Sequence, residues 1–163
     1  MKKLTVFILS LFMMLMVGSQ SVLANNRIDA SAAIMADAST GQIIYKQNVD
    51  KALPVASITK LLTILVIEDE IQQKQLSWDT QVKITPEIAA ISNDAAYSSI
   101  GLKSGQSYSV RTLINAALVK SADGATVALA TATGDGTDEF NLKMMQKAKK
   151  IGMTKTNIVN SVG

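Results

Sequence analysis

The sequence contains no cysteine and no histidine, and these two absences remove several classes of chemistry. Without cysteine we expect no disulfide framework, no thiolate nucleophile and no lipid-modified cysteine at the N-terminus. Without histidine, a Ser-His-Asp or Cys-His mechanism within this chain is excluded. Any nucleophilic catalysis must therefore use a different base.

An excess of charge of one sign is also missing. The chain has 16 Lys and Arg residues against 13 Asp and Glu residues. Two of the lysines lie in a leader that we expect to be removed, which would leave a net charge of about +1. No basic stripe with interleaved aromatic residues is present, so composition gives no support for nucleic-acid binding.

The first 24 residues have the pattern of a signal peptide. Lysines at positions 2 and 3 precede an apolar run over residues 4–17, and a small-residue cleavage site ends at Ala24. A membrane anchor is the alternative, but the run is shorter than the roughly 20 residues that span a bilayer. The sequence therefore predicts export, with residues 1–24 as signal peptide and residues 25–163 as the mature domain.

One hairpin is predicted near the start of that domain. Apolar runs at residues 34–36 and 43–45 flank a turn over residues 38–41, which predicts strand, turn and strand. Because both runs are apolar on consecutive residues, we expect a sheet covered on both faces. A lone hairpin is marginal in water, and the only further strand candidate is weak, at Ile158-Val159. We therefore expect an incomplete domain.

The rest of the domain has helical patterns. An almost wholly apolar helix is predicted from Ser57 to about Ile71, which indicates a buried helix. Further helices are predicted after a Thr85 cap, over residues 110–119 and 125–132, and from a Thr137 cap to a stop at Gly152. Residues 98–109 are predicted to be a loop with short extended pieces.

The residues that carry chemistry are Ser57 and Lys60, in the only Ser-x-x-Lys of the chain. Unpaired backbone N–H groups at a helix start favour negative charge there. Lys60 lies one turn further along the same face, so its amine can reach the hydroxyl. Burial disfavours the charged form of an amine. A neutral amine beside a hydroxyl is a general base, and no histidine is needed.

Structural roles for both residues remain open at this point. Serine is a common helix N-cap without any catalytic function, and a lysine often extends its amine into solvent. The second alternative fits less well, because Lys60 begins an almost wholly apolar helix.

The surroundings of Ser57 resemble a known family. The Asp37-Ala-Ser-Thr-Gly turn and the later Pro54-Val-Ala-Ser-Ile-Thr-Lys segment are similar to the opening of the serine D-alanyl-D-alanine carboxypeptidases, the low-molecular-weight penicillin-binding proteins. Ser121-Ala-Asp lies where that family carries Ser-x-Asn, 64 residues after Ser57. Residues 152–163 resemble the stretch that leads into the Asn-Pro-x-Gly of the family.

The resemblance implies a fold, a reaction and roles for three residues. The fold would be α+β and β-lactamase/transpeptidase-like, truncated after the helical part. Ser57 would attack the carbonyl of the penultimate D-alanine, Lys60 would take its proton, and Ser121 would relay a proton to the leaving nitrogen. The Ser57 backbone N–H would be one oxyanion donor. For Ser121, a loop serine that satisfies backbone groups is the structural alternative.

The same resemblance implies partners and a location. The partners would be peptidoglycan stem peptides ending in D-Ala-D-Ala and β-lactam antibiotics, with no metal and no cofactor. The protein would work at the extracytoplasmic face of a bacterial membrane or in the cell wall. Membrane contact would come only from an uncleaved signal or from a C-terminal anchor that this sequence does not contain.

Position 123 departs from the family pattern, because it is Asp instead of Asn. As a substrate-binding residue, an ionised Asp123 could only accept hydrogen bonds. It would also face an anionic peptide terminus, and two like charges at ~4 Å cost up to about 4 kcal/mol at an effective dielectric near 20. The alternative is that Asp123 pairs with a lysine such as Lys60. Both possibilities stay open.

A second departure is the missing Lys-Thr-Gly strand, which binds the substrate carboxylate in the family. Lys155-Thr156-Asn157 does not replace it, since it follows the last helix directly and lacks the glycine. Two other functions are therefore weighed. A class A β-lactamase shares Ser-x-x-Lys but needs Glu-x-x-x-Asn, which this sequence lacks. An inactive fragment or pseudoenzyme is the non-enzymatic alternative.

Overall fold

The computed structural model describes residues 27–163, and the predicted signal peptide lies outside these residues. The chain divides into two compact units, one ending at Lys51 and one from Ala52 to Gly163. Within the described residues, no helix is both long enough and apolar enough to cross a membrane.

The first unit contains the predicted hairpin. Strand β1 (Ala33–Ala36) pairs antiparallel with β2 (Ile43–Gln47), with Met35 opposite Tyr45. The register shifts by a bulge between the last two residues of β1. The predicted sequence of strand, turn and strand is confirmed.

The turn of the hairpin is organised by one carboxylate. Asp37 Oδ1 accepts hydrogen bonds from the backbone N–H groups of Ser39 and Thr40, at 3.0 and 2.8 Å, and from both of their hydroxyls. These bonds, led by that of the Ser39 hydroxyl, lower the pKa of Asp37 to about 2. Because the charged form is the better acceptor, the turn explains why Asp, Ser and Thr occur together here.

The hairpin is not covered on both faces, so this prediction is wrong for the described residues. The apolar side chains of both strands are more than half exposed, namely those of Ile34, Met35, Ile43 and Ile44. The reason is that the described part of the chain adds no third strand to this sheet. Consecutive apolar residues in a strand predict a covering layer, but they do not show which segment supplies it.

The second unit is mainly helical. Its elements are a 3₁₀ turn (Ala56–Ile58), α1 (Thr59–Gln72), β3 (Gln81–Lys83), α2 (Pro86–Asn93), β4 (Ser107–Ser109), α3 (Val110–Lys120), α4 (Asp123–Ala132) and α5 (Thr137–Lys150). Helix α1 lies at the centre, because it packs against α3, α4 and α5. Its Ile67 is fully buried in one core with Leu113, Leu129 and Phe140. The predicted burial of α1 is confirmed.

The sequence predicted threonine caps at two helix starts, and one of the two is correct. Thr85 caps α2 as predicted, since its hydroxyl oxygen accepts from the backbone N–H of Ile88, and Pro86 follows as the first helical residue. For α5 the predicted cap is wrong by one residue. Gly136 is the N-cap and Thr137 is the first residue of the helix. Glycine is an acceptable N-cap because the position needs only extended backbone.

The small sheet of this unit was only partly predicted. Strand β4 lies in the segment expected to contain short extended pieces, and it pairs antiparallel with β3, with Lys83 opposite Ser107. Strand β3 was missed, since three residues are too few for an alternating pattern to be recognised. The weak strand candidate at Ile158-Val159 is wrong, because these residues are irregular and Val159 is exposed.

Candidate active site

Ser57 lies in the 3₁₀ turn that leads directly into α1, and Lys60 is the second residue of that helix. The Lys60 Nζ lies 2.7 Å from the Ser57 Oγ. The two residues differ in burial, because the Lys60 side chain is only 3% exposed, whereas Ser57 is exposed. The spacing of one turn therefore brings a buried amine to a hydroxyl that solvent and ligands can reach.

Ser121 reaches the same amine from the end of α3. It occupies the C-cap position with φ 53° and ψ 30°, which is the left-handed region. This backbone conformation ends α3 and lets α4 begin two residues later. The Ser121 Oγ then lies 3.0 Å from Lys60 Nζ, although 61 residues separate the two in sequence.

Asp123 is the third partner of the amine. It is the first residue of α4, and its Oδ1 lies 2.8 Å from Lys60 Nζ. The second carboxylate oxygen accepts a hydrogen bond from the backbone N–H of Ser98 at 3.0 Å. Both carboxylate oxygens are thus engaged within the protein. The sequence left open whether Asp123 binds substrate or pairs with a lysine. The structure has the pair with Lys60, and a direct contact of Asp123 with substrate stays a prediction.

Two neighbours of Asp123 were not recognised in the sequence. Ser98 forms a reciprocal pair with it, since the Asp123 backbone N–H also donates to the Ser98 carbonyl at 2.9 Å. Gly124 allows α4 to approach α2, because a Cβ at this position would lie 2.7 Å from the Cβ of Ser92. Ser98 belongs to no recognisable sequence motif. Gly124 could have been recognised, because a glycine in the first turn of a helix indicates close packing.

The cluster satisfies the hydrogen-bonding capacity of the lysine. An ammonium has three donors, and Lys60 has three acceptors, which are the oxygens of Ser57, Ser121 and Asp123. The amine is almost fully buried, and its charged partner is the Asp123 carboxylate. The arrangement can therefore hold a proton at Nζ and exchange it with either hydroxyl.

Chemically, the arrangement is the one that a serine nucleophile and its base would require. An exposed hydroxyl lies within hydrogen-bond reach of a candidate base, and the base is oriented by a third group. Among residues 27–163, no group of three or more acidic side chains lies close enough together to hold a metal ion. Lys155-Thr156-Asn157 lies in the turn after α5, in an irregular segment.

A model of the family described as D-alanyl-D-alanine carboxypeptidase matches residues 19–163 of this sequence. The chain belongs to that family. The match covers both the Ser57–Lys60 turn and the Ser121–Asp123 turn. The predicted family is therefore confirmed, while the roles of the individual residues remain predictions.

Individual relatives agree with the family assignment. D-alanyl-D-alanine carboxypeptidase DacF of Bacillus subtilis is 27% identical over 135 residues, which are 83% of this chain and 34% of the relative. The crystal structure of the carboxypeptidase DacD from Francisella tularensis matches with a TM-score of 0.77 and 36% identity, over 86% of this chain and 33% of that one.

A third relative was solved with a ligand. Penicillin-Binding Protein D2 from Listeria monocytogenes, in its ampicillin-bound form, has a TM-score of 0.70 and 32% identity, over 85% of this chain and 54% of that one. The expected fold class is confirmed, and the chain covers part of that fold. It spans about a third to a half of the length of these relatives.

Proposed function

We propose that the protein carrying this chain is a serine-type D-alanyl-D-alanine carboxypeptidase that removes the terminal D-alanine from peptidoglycan stem peptides. The observation that carries the proposal is the 2.7 Å contact between the exposed Ser57 hydroxyl and the buried Lys60 amine. Membership of the family supports the same reaction. Export to the extracytoplasmic face, where stem peptides occur, is part of the proposal.

The first half of the reaction forms an acyl-enzyme. Lys60, in its neutral form, takes the proton of the Ser57 hydroxyl while Oγ bonds to the carbonyl carbon of the penultimate D-alanine. The Ser57 backbone N–H donates to the developing oxyanion. The C–N bond then breaks, and the Ser121 hydroxyl passes a proton from Lys60 to the leaving nitrogen. The terminal D-alanine departs with that proton.

The second half releases the shortened peptide. Water adds to the ester carbonyl and gives one proton to Lys60, and the Ser57 oxygen leaves and regains a proton from it. Penicillins would enter the same first half, because their ring amide takes the place of the peptide bond. In that case the leaving nitrogen stays attached to the acyl group. The ampicillin-bound relative supports this part of the proposal.

Labelling of Ser57 by a fluorescent penicillin tests the proposal. We expect the full-length gene product to be labelled, and we expect Ser57→Ala to abolish labelling. Ser104→Ala is the matched control, because Ser104 is exposed in a turn and is none of the hydrogen-bond partners of Lys60, and it should label normally. Release of free D-alanine from a peptide ending in D-Ala-D-Ala should be lost in the same Ser57→Ala variant.

Three results would overturn the proposal. Labelling that survives in Ser57→Ala would remove Ser57 as nucleophile. Rapid turnover of a chromogenic cephalosporin, without release of D-alanine, would favour a β-lactamase. A folded full-length protein that neither labels nor releases D-alanine would favour the pseudoenzyme.

A further inference from the structure

The residue directly before Ser57 has an unusual backbone conformation. Ala56 has φ +46°, although it is not a glycine. L-residues other than glycine rarely adopt this region, because Cβ comes too close to the following carbonyl oxygen. Such conformations persist where surrounding structure holds them, and they cluster at functional sites. The turn that presents Ser57 therefore needs a support.

The support lies in the last seven residues of the chain, which we name the bracing segment (residues 157–163). Residues of this segment and residues 53–59 line one groove of about 190 Å³. Within this groove, Gly163 lies directly against the carbonyl group of Ala56. A Cβ at its position would overlap the carbonyl oxygen of Ala56 and would lie 2.8 Å from Thr59 Oγ1. Gly163 also has φ +101°, a region that favours glycine.

The bracing segment is itself fixed to α1. The Thr63 hydroxyl donates to the Ser161 carbonyl at 2.7 Å, and both residues are buried. The Asn160 Oδ1 accepts from the backbone N–H groups of Val162 and Gly163, at 2.9 and 2.7 Å. Thr63 lies one turn after Lys60, so the same helix holds both the base and the anchor of the segment.

We propose that Gly163 is a positioning residue, which acts through Ala56 to hold the Ser57 hydroxyl at its reacting distance from Lys60. This inference rests on the proposed function, since it concerns the acylation of Ser57. Any side chain at position 163 would push against the Ala56 carbonyl, and that carbonyl belongs to the peptide unit joined to Ser57. A displacement of about 1 Å at a reacting group can cost about 100-fold in rate.

The test compares two glycines in the full-length protein. Gly152 also has a positive φ, of +90°, but a Cβ there would meet nothing within 4 Å. Gly152→Ala therefore introduces the same type of backbone strain without the contact to Ala56. We expect Gly163→Ala to lower the rate constant of acylation by a fluorescent penicillin about ten- to hundred-fold. The dissociation constant of the non-covalent complex should stay unchanged, and Gly152→Ala should acylate like the unaltered protein.

A second pair of variants covers the case in which Gly163→Ala does not fold. Thr63→Val removes the hydroxyl that donates to Ser161 and keeps the shape of the side chain, while Thr63→Ser keeps the hydroxyl. We expect a slower acylation step in Thr63→Val and its restoration in Thr63→Ser. If the contacts of the bracing segment were purely structural, the substitutions would lower the melting temperature but would leave the acylation rate of the folded protein unchanged.

The outcomes separate this inference from the proposed function. If the unaltered protein is labelled at Ser57 and Gly163→Ala acylates as fast as Gly152→Ala, the positioning role is refuted and the proposed function stands. Equal acylation rates in Thr63→Val and Thr63→Ser would refute it as well. If the unaltered protein is not labelled at all, it is the proposed function that fails.

Discussion

Helix α1 carries a charged cluster at each end, and the two clusters differ in what they leave accessible. At its start, Lys60 contacts Asp123 and two serine hydroxyls. Near its end, Asp69 pairs with Lys147 at 2.7 Å and Glu70 pairs with Lys143 at 2.8 Å, both from α5. Both ends place a charge against the helix dipole, a cation at the start and anions at the end.

The difference lies in the partners. The carboxylates at the end of α1 are neutralised by lysines that are partly exposed, the side chain of Lys143 being 35% exposed. This cluster ties α5 to α1. At the start of α1, the lysine is almost fully buried, and one of its partners is the exposed Ser57 hydroxyl. The comparison teaches that one helix can end in partly exposed ion pairs that hold two helices together and begin with a buried lysine whose hydroxyl partner solvent can reach.

Replacing the two lysines should give the largest contrast. Lys60→Met removes the proposed base, and general-base catalysis contributes about 10²- to 10⁴-fold. We expect acylation by penicillin to slow by that factor. Lys147→Met, at the other end of α1, should leave the acylation rate unchanged. Time courses of labelling with the full-length proteins check this, and a Lys60→Met protein that acylates normally would break the comparison.

Removing one carboxylate at each end of α1 should lower the free energy of unfolding by clearly different amounts. Asp123→Ala leaves the buried Lys60 without its counter-charge, and breaking a buried pair costs about 3–5 kcal/mol. Asp69→Ala breaks the pair with Lys147, in which the Asp69 side chain is 29% exposed. Because solvent screens this pair, we expect a loss of about 1 kcal/mol or less. Urea unfolding of the full-length variants measures both. Equal losses would show that burial does not distinguish the two clusters.

The smallest effect concerns pH at the far end of α1. Lys143 also contacts Asp135 at 2.6 Å. The Lys143 ammonium, followed by the Thr133 hydroxyl, lowers the pKa of Asp135 below its usual 3.8. Asp135, followed by Glu70, raises the pKa of Lys143 above 10.5. The Asp135 contribution to stability is therefore present above pH 3.8 and lost as the pH falls, and the Lys143 contribution is lost as the pH rises past 10.5.

We expect Asp135→Asn to destabilise the protein by about 1 kcal/mol or less at neutral pH, because the pair is partly exposed. The loss should shrink when urea unfolding is repeated near pH 3. A difference between the two proteins that grows on acidification would contradict the assigned direction of the Asp135 pKa.

The sequence predicted those parts of the site that depend on local spacing. Ser57 and Lys60 are three residues apart, and an apolar helix after them sufficed to infer a buried amine close to a hydroxyl. The proximity of Ser121 was inferred only from the family resemblance. Local patterns carry no information on a contact across 61 residues, because it is the packing of α3 and α4 against α1 that creates it.

Other features could not be predicted for the same reason. Asp123 had two open interpretations, and only the position of α4 distinguishes a lysine contact from a substrate contact. The consecutive apolar residues of the hairpin strands predicted a covered sheet, but this pattern does not indicate which segment would cover it. Gly163 carried no local signal, since its constraint comes from the Ala56 carbonyl more than 100 residues earlier.

The left-handed backbone of Ser121 has an evolutionary consequence. A residue with a Cβ costs roughly 1–2 kcal/mol in this region compared with glycine. Glycine at position 121 would relax the backbone but would lack the hydroxyl that faces Lys60. The relief of strain is therefore offset by the lost hydrogen bond to Lys60, since a hydrogen bond to a charged group is worth about 1.5–3 kcal/mol, and selection for stability alone does not replace this serine by glycine.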